Sequence, residues 1–187
     1  MSDKSIFLKT VTVYHDSREQ KHQHIIDALD TLKIKHEPKK LDIGDYSFCV
    51  GLRDFSLSCA IERKASPDEL YSNIMEGMSG HKGERIEKEL ASAKAILNDF
   101  TVLVETVGSM EELKAYTIPD WKMKACPERK VSEVGKEVYE HLCSWQTGNR
   151  YGFRIEFSKD PALTAVKMLE RFYYYYRNYT RAVAPRR

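Results

Sequence analysis

The chain has 187 residues, 42% of them hydrophobic and 31% charged, which is enough apolar material for one core and enough charge for a soluble protein. Thirty Lys and Arg against 28 Asp and Glu leave a net charge of +2, so overall charge does not announce a nucleic-acid binder. No apolar run approaches the ~20 residues of a membrane span. The start, Met1-Ser-Asp-Lys-Ser5, lacks the apolar core of a secretory signal. Cys49, Cys59, Cys126 and Cys143 lie far apart without a Cys-x-x-Cys pair, which excludes metal-finger spacing and favours a reduced, intracellular setting.

In chain order, Thr10–Asp16 is β-branched and aromatic and reads as a first strand ending in Asp16-Ser-Arg-Glu19. An acid at a strand end is a common site position in an α/β fold, and it is equally a cap for the next helix; both readings of Asp16 stand. Gln20–Leu32 is an amphipathic helix with Ile25, Ile26, Leu29 and Leu32 on one stripe. His22 and His24, two apart, do not converge on a helix and read as surface residues. Lys35–Leu41 and Tyr46–Val50 read as strands around Asp42-Ile-Gly44-Asp45, where Gly44 permits an unusual backbone. A turn at 51–54 then leads into a strand ending at Lys64, so Asp45 and Glu62 fall on neighbouring antiparallel strands.

That last strand carries the chemistry. In Ala60-Ile-Glu62-Arg63-Lys64, alternation puts Glu62 and Lys64 on one face and Arg63 on the other. A carboxylate that holds a divalent metal, beside a lysine that orients or deprotonates water, suits phosphodiester hydrolysis. Two carboxylates from adjacent strands plus Lys64 make one metal-binding corner. The competing reading is a solvated charge run. Ser66-Pro-Asp68-Glu69 is a helix start, with Ser66 as N-cap and Pro67 at the first helical position, so Asp68 is also explained as a complement to the helix dipole.

Beyond it, the glycine-rich 76–83 lacks the ending of a phosphate-binding P-loop. Glu84–Leu97 is an amphipathic helix, and Lys82, Arg85, Lys88 and Lys94 give it cations that can meet phosphate. Phe100–Glu105 is a buried central strand and Ser109–Tyr116 a short helix. The stretch 117–130, with Pro119 and Pro127, is the least regular. Val131–Trp145 is a helix, Tyr151–Phe157 an alternating strand, and Asp160-Pro161 opens a final helix carrying Phe172-Tyr-Tyr-Tyr-Tyr176. Consecutive aromatics cover every face of a helix; packing or a dimer interface is preferred over base stacking.

Three stretches together, Tyr14-His-Asp-Ser-Arg-Glu19, Leu41-Asp-Ile-Gly-Asp45 and Ile61-Glu-Arg-Lys-Ala-Ser-Pro-Asp68, resemble the nuclease domain of the XPF-type structure-specific DNA endonucleases. That signature is Gly-Asp, a spacer, Glu-Arg-Lys, three residues and Asp, and Gly44-Asp45, Glu62-Arg63-Lys64 and Asp68 satisfy it. The match is specific over about 11–105. Residues 1–9 read as an N-terminal extension, 106–150 as a family-divergent helical insert and 181–187 as a basic tail of a single nuclease domain.

The resemblance implies an α/β, restriction-endonuclease-like fold of the PD-(D/E)xK superfamily, a central mixed β-sheet flanked by helices. It implies Mg²⁺ or Mn²⁺ dependence and cleavage of branched, flapped or otherwise single-strand-bearing DNA to 5′-phosphate and 3′-hydroxyl ends. Carried over by position, Asp45 and Glu62 are the core metal ligands, Asp16 and Glu19 complete the acidic cluster, Lys64 handles the water and Asp68 supports. Arg18, Arg63 and Arg85 are phosphate contacts or structural pairs. Family nucleases commonly dimerise through this domain, so a homodimer or heterodimer is expected, and the setting is the cytoplasm, nucleoid or nucleus. The tandem helix-hairpin-helix modules that usually follow this domain are not recognised in the sequence. The alternatives are a non-catalytic DNA-binding or dimerisation subunit, and an ordinary α/β domain with a chance motif.

Overall fold

The computed structural model describes residues 3–78, 84–120 and 133–183, the side chains of 76–78 and 84–85 excepted. Lys82, the side chain of Arg85, most of the glycine-rich loop, Pro127 and the end of the basic tail therefore lie outside the described residues. Among those described, seven strands form one mixed sheet in the order β2-β1-β3-β5-β6-β7, with β4 paired to β3. They are β1 (Val11–Asp16), β2 (Lys35–Lys39), β3 (Tyr46–Val50), β4 (Arg53–Asp54), β5 (Cys59–Lys64), β6 (Asp99–Glu105) and β7 (Arg154–Ser158). β1 runs parallel to β2 and antiparallel to β3, and β3 is antiparallel to β4 and β5. The mixed α/β architecture expected from the sequence is the one observed.

The chain forms two compact units, one of 1–62, 96–101 and 161–187, the other of 63–95 and 102–160. In the first, helix α1 (Asp3–Thr10) precedes β1, and α2 (Gln23–Thr31) buries Ile25 and Leu29. Leu32, expected on the same stripe, is exposed, because the helix has already ended at Thr31. The edge strand β2 is open to solvent along most of its length and carries Pro38, whose missing N–H is tolerated at an edge.

The aromatic run belongs to helix α7 (Thr164–Val183), and packing accounts for most of it. Phe172 and Tyr173 are buried. Phe48 of β3 stacks between Phe55 and Phe172, each ring centroid 4.7 Å away. Tyr175, Tyr176 and Tyr179 all meet Phe55 edge-on, and Phe7 of α1 closes the cluster against Tyr173 and Tyr176, 5.6 Å from each. Pairs of this kind are worth about 0.5–1.5 kcal/mol beyond the area they bury. Tyr174 faces outward, under the guanidinium of Arg177. Residues 3–10, read as part of an extension, are thus a helix anchored by one phenylalanine. Asp160-Pro161 does not open the helix directly: Pro161–Leu163 make a single 3₁₀ turn and α7 begins at Thr164.

In the second unit, α3 (Pro67–Met78) follows β5, and Glu69 reaches back to the Ala65 amide at 2.8 Å, close to the capping box foreseen from Ser66 and Glu69. Helix α4 (Glu84–Ile96) buries Ile86, Leu90 and Ala93. Ser109 caps α5 (Met110–Lys114) through the Glu112 amide. Helix α6 (Val134–Gln146) buries Val134, Val138, Leu142 and Trp145. Glu87 of α4 accepts from the Trp145 indole at 2.8 Å and the Tyr151 hydroxyl at 3.0 Å. Tyr151 and Phe153, expected in a strand, precede β7, since Gly152 at φ +64° breaks the extended run.

Gly135 lets α6 lie against the end of α5. Its amide donates to the Tyr116 carbonyl at 3.1 Å, giving one orphan first-turn N–H a partner. A Cβ there would stand 2.6 Å from that same carbonyl oxygen and would also strike the Leu113 carbonyl. The obstacle is backbone, which cannot rotate aside. Gly135→Ala should therefore destabilise the protein by about 1–3 kcal/mol despite alanine's better helix propensity, read as a lower urea midpoint at unchanged slope.

Candidate active site

The carboxylates singled out in the sequence sit at one end of three adjacent strands. β3 pairs with β1 through His15–Tyr46 and with β5 through Tyr46–Ile61. Just beyond those rungs the Asp16 amide donates to the Asp45 carbonyl at 2.7 Å, and the Asp45 amide to the Ile61 carbonyl at 2.9 Å. The backbones of Asp16, Asp45 and Ile61-Glu62 are thereby tied in one line across β1, β3 and β5. The second bond is one residue off the straight continuation of the Tyr46–Ile61 pair, so the ladder bulges at Asp45. Gly44, at φ +75°, makes the bulge, and a Cβ there would lie 3.1 Å from the Ala60 Cβ and from the Ile61 carbonyl oxygen.

Asp16 is buried and heavily engaged. One oxygen accepts from the Arg18 amide (2.7 Å) and Nε (2.8 Å); the other accepts from Arg18 Nη2 (2.7 Å) and the Leu41 amide (2.9 Å). The same Nη2 also donates to the Leu41 carbonyl at 2.7 Å. This is neither a helix cap nor an open ligand. The carboxylate folds its own loop and clamps it to Leu41, two residues beyond β2, and it does not cap α2, whose N-cap is His22. Hydrogen bonds from Arg18, with those of the two amides, hold its pKa down at about 2. Glu19 closes the turn through its amide to the Asp16 carbonyl and accepts from the Lys21 amide.

Glu62 and Lys64 are 7% and 6% exposed on β5, and strand alternation sets them on one side of it. Arg63, on the other side, is a structural pair: its Nη1 donates to Glu105 at 2.8 Å, both side chains being 3% exposed. Of the two roles the sequence allowed Arg63, the geometry shows the pairing. Its partner Glu105 is the buried last residue of β6. Asp68 is buried in the first turn of α3, hydrogen-bonded to the Tyr116 hydroxyl, whose pKa is raised by burial and by that carboxylate. Among the described residues, no three His, Cys, Asp or Glu side chains stand ready around a common metal position.

Sequence reasoning passed over one feature on the opposite face of β1 from Asp16. His15 lies between His22 and His36, its ring centroid 5.0 Å from the first and 5.7 Å from the second. Burial and these two imidazoles lower the His15 pKa. Only the alternation of β1 and the parallel β1–β2 register bring these histidines together, and neither is a local spacing.

A mixed sheet with helices around it, and acids at adjoining strand ends, defines a protein of the restriction-endonuclease-like α/β class. The ERCC4 domain family model matches residues 15–170, and the chain belongs to that family. The matched span includes 106–150. In fold the chain is similar to XPF from Aeropyrum pernix, with a TM-score of 0.57 and 20% identity over 91% of this chain and 68% of that one. Against XPF from Aeropyrum pernix in complex with DNA the TM-score is 0.59 and the identity 21%, over 89% of this chain and 65% of that one. The chain thus spans about two thirds of the length of these structures. A search of curated proteins finds no match. No helix among the described residues is long and apolar enough to cross a membrane.

Two outcomes test the electrostatics. Because the folded pKa of Asp16 lies below its unfolded value, its contribution is complete above about pH 4 and is lost as pH falls toward 2. Arg18→Ala should move the acid-unfolding midpoint, followed by circular dichroism, to higher pH. Arg63→Met alone should cost about 3–5 kcal/mol in urea unfolding by removing the guanidinium beside the buried Glu105 carboxylate, whereas Arg63→Met with Glu105→Leu should recover most of it.

Proposed function

We propose that the chain is a divalent-metal-dependent DNA endonuclease in which Asp45 and Glu62 hold the cation, Lys64 handles the attacking water and the substrate is branched, flapped or otherwise single-strand-bearing DNA. The observation that carries the reading is the backbone tie of Asp45 to Ile61, which fixes two carboxylate-bearing residues on adjacent strands. Family membership and the DNA complex of a fold relative support DNA as the partner.

The donor set fits Mg²⁺ or Mn²⁺. Two carboxylates are hard oxygen donors, and Mg²⁺ is commonly held by one or two of them with water and substrate phosphate completing the shell. When bound, the ion supplies positive charge against the scissile phosphate and its attacking oxygen. Asp16 takes the role of organiser: with four hydrogen bonds on its carboxylate, it sets the strand end from which Asp45 is held. Glu19 completes the acidic cluster and Asp68 is a supporting acid. Lys64 orients the attacking water and offsets charge as the water oxygen bonds to phosphorus and the P–O3′ bond breaks; the water's proton passes to solvent and the leaving 3′ oxygen takes one up from solvent, giving 5′-phosphate and 3′-hydroxyl ends. Arg18, Lys82 and Arg85 are the cations offered to the DNA backbone. An intracellular location and dimerisation through this domain belong to the same reading, and sedimentation with and without DNA tests the second.

The engagement of Asp16 by Arg18 also favours the alternative, a non-catalytic DNA-binding or dimerisation subunit. One panel separates the two: flap, fork, junction, single-stranded and linear duplex DNA with Mg²⁺, Mn²⁺ or chelator. The nuclease reading expects metal-dependent cutting by the wild type, with Glu62→Gln, Asp45→Asn and Lys64→Ala each at least about 100-fold slower and unchanged in circular dichroism. DNA binding without cutting under every condition selects the subunit. Undiminished cutting by Glu62→Gln or Lys64→Ala removes the site assignment.

A further inference from the structure

We propose that His15, His22 and His36 form a second metal site, for a borderline-soft transition ion of the zinc type, separate from the carboxylate site.

The three imidazoles come from three elements: β1, the N-cap of α2, and β2. Val13 pairs with His36 in the parallel β1–β2 register, and alternation then gives His15 and His36 one face of the sheet, the face opposite Asp16. The ring separations of 5.0 and 5.7 Å agree with shared ligation. An ion about 2.0–2.1 Å from a ring nitrogen lies about 3.2 Å from that ring's centre, so two rings at a tetrahedral angle have centres about 5 Å apart.

Two ring nitrogens lack a partner. Nδ1 of His22 and Nδ1 of His36 are both buried and make no hydrogen bond with the protein. A buried imidazole nitrogen without a partner costs free energy unless something uses it. His36 has a further mark of a ligand: its other nitrogen, Nε2, lies 3.0 Å from Oδ1 of Asp30. A carboxylate behind one nitrogen fixes the tautomer that leaves the other as acceptor, the usual outer partner of a metal-bound histidine.

The three rings do not already surround one point at ligand distance. The proposal therefore includes a turn of the His15 and His22 side chains on binding, which brings their ring nitrogens to the ion. Imidazole donors suit Zn²⁺, Co²⁺, Ni²⁺ and Cu²⁺, and not Mg²⁺, so the two sites select different ions. An ion here ties β1, β2 and the start of α2 together and stabilises the folded state by mass action.

The test uses the full chain without a histidine tag, in excess Mg²⁺ to occupy the oxygen site. Zn²⁺ is titrated by calorimetry and Co²⁺ by its visible absorption. The expected result is one equivalent bound, with nitrogen-ligated tetrahedral Co²⁺ bands and a Tm rise on the order of 5 °C. His22→Ala and His36→Ala should each weaken binding about 10–100-fold, and Asp30→Asn about tenfold, with circular dichroism unchanged. His24→Ala, the near neighbour, should bind as the wild type does. Absence of binding in the wild type, or equal binding by His22→Ala and His36→Ala, overturns the proposal. Should His15→Ala fail to fold, those two variants decide it.

Discussion

The close approach of Gly44 to β5 is the constraint on which the strand-end site depends. With φ at +75° and no side chain, residue 44 lets the chain turn into β3 against the backbone of Ala60 and Ile61. The Asp45 amide then finds the Ile61 carbonyl and not the one a regular ladder would offer. Any L side chain at 44 meets both an unfavourable backbone region and a neighbouring carbonyl. The Gly-Asp pair is therefore one device: the glycine makes the bulge and the aspartate is what the bulge presents.

The two compact units hold themselves together differently. The first relies on rings: β3, α1 and α7 meet through Phe7, Phe48, Phe55, Phe172 and the tyrosines around them, with the ion pair of Arg171 and Asp99 at its edge. The second relies more on polar partners, the buried pair Arg63 and Glu105 and the half-buried Glu87 with Trp145 and Tyr151. Ring packing is forgiving of small errors, since many contacts share the load. A buried ion pair is not, because loss of one partner strands the other. This difference bears on the Glu62-Arg63-Lys64 run, whose middle residue is structural and whose outer two face the proposed chemistry.

Much of the architecture was legible because it is written locally. A β-branched, aromatic run marks β1 and an apolar run marks β6, apolar stripes mark α2, α4 and α6, and Gly44-Asp45 with Glu62-Arg63-Lys64 marks the strands that meet. What escaped depends on partners remote in the chain. Helix α1 has only Phe7 to bury, and that ring's neighbours come from α7. Arg63 and Glu105 are 42 positions apart, and nothing near Arg63 distinguishes a phosphate contact from a buried pair. The engagement of Asp16 reaches across the chain to Leu41, which no local spacing around Asp16 announces. The three histidines are a product of sheet register, invisible to spacing. Gly152 and Pro161 show the opposite failure, in which a local pattern was clear and one backbone angle or turn cut it short.

The edge strand β2 has a consequence of its own. Its outer side is exposed, and a bare strand edge is a template on which a second chain can add, the first step toward fibrils. Pro38 supplies no N–H, so an incoming strand would meet a missing rung at the middle of any register. Lys35, Glu37 and Lys39 add a hydrated, charged fringe along the same stretch. The sheet is thereby protected against self-association on this side by composition alone, with no covering element needed.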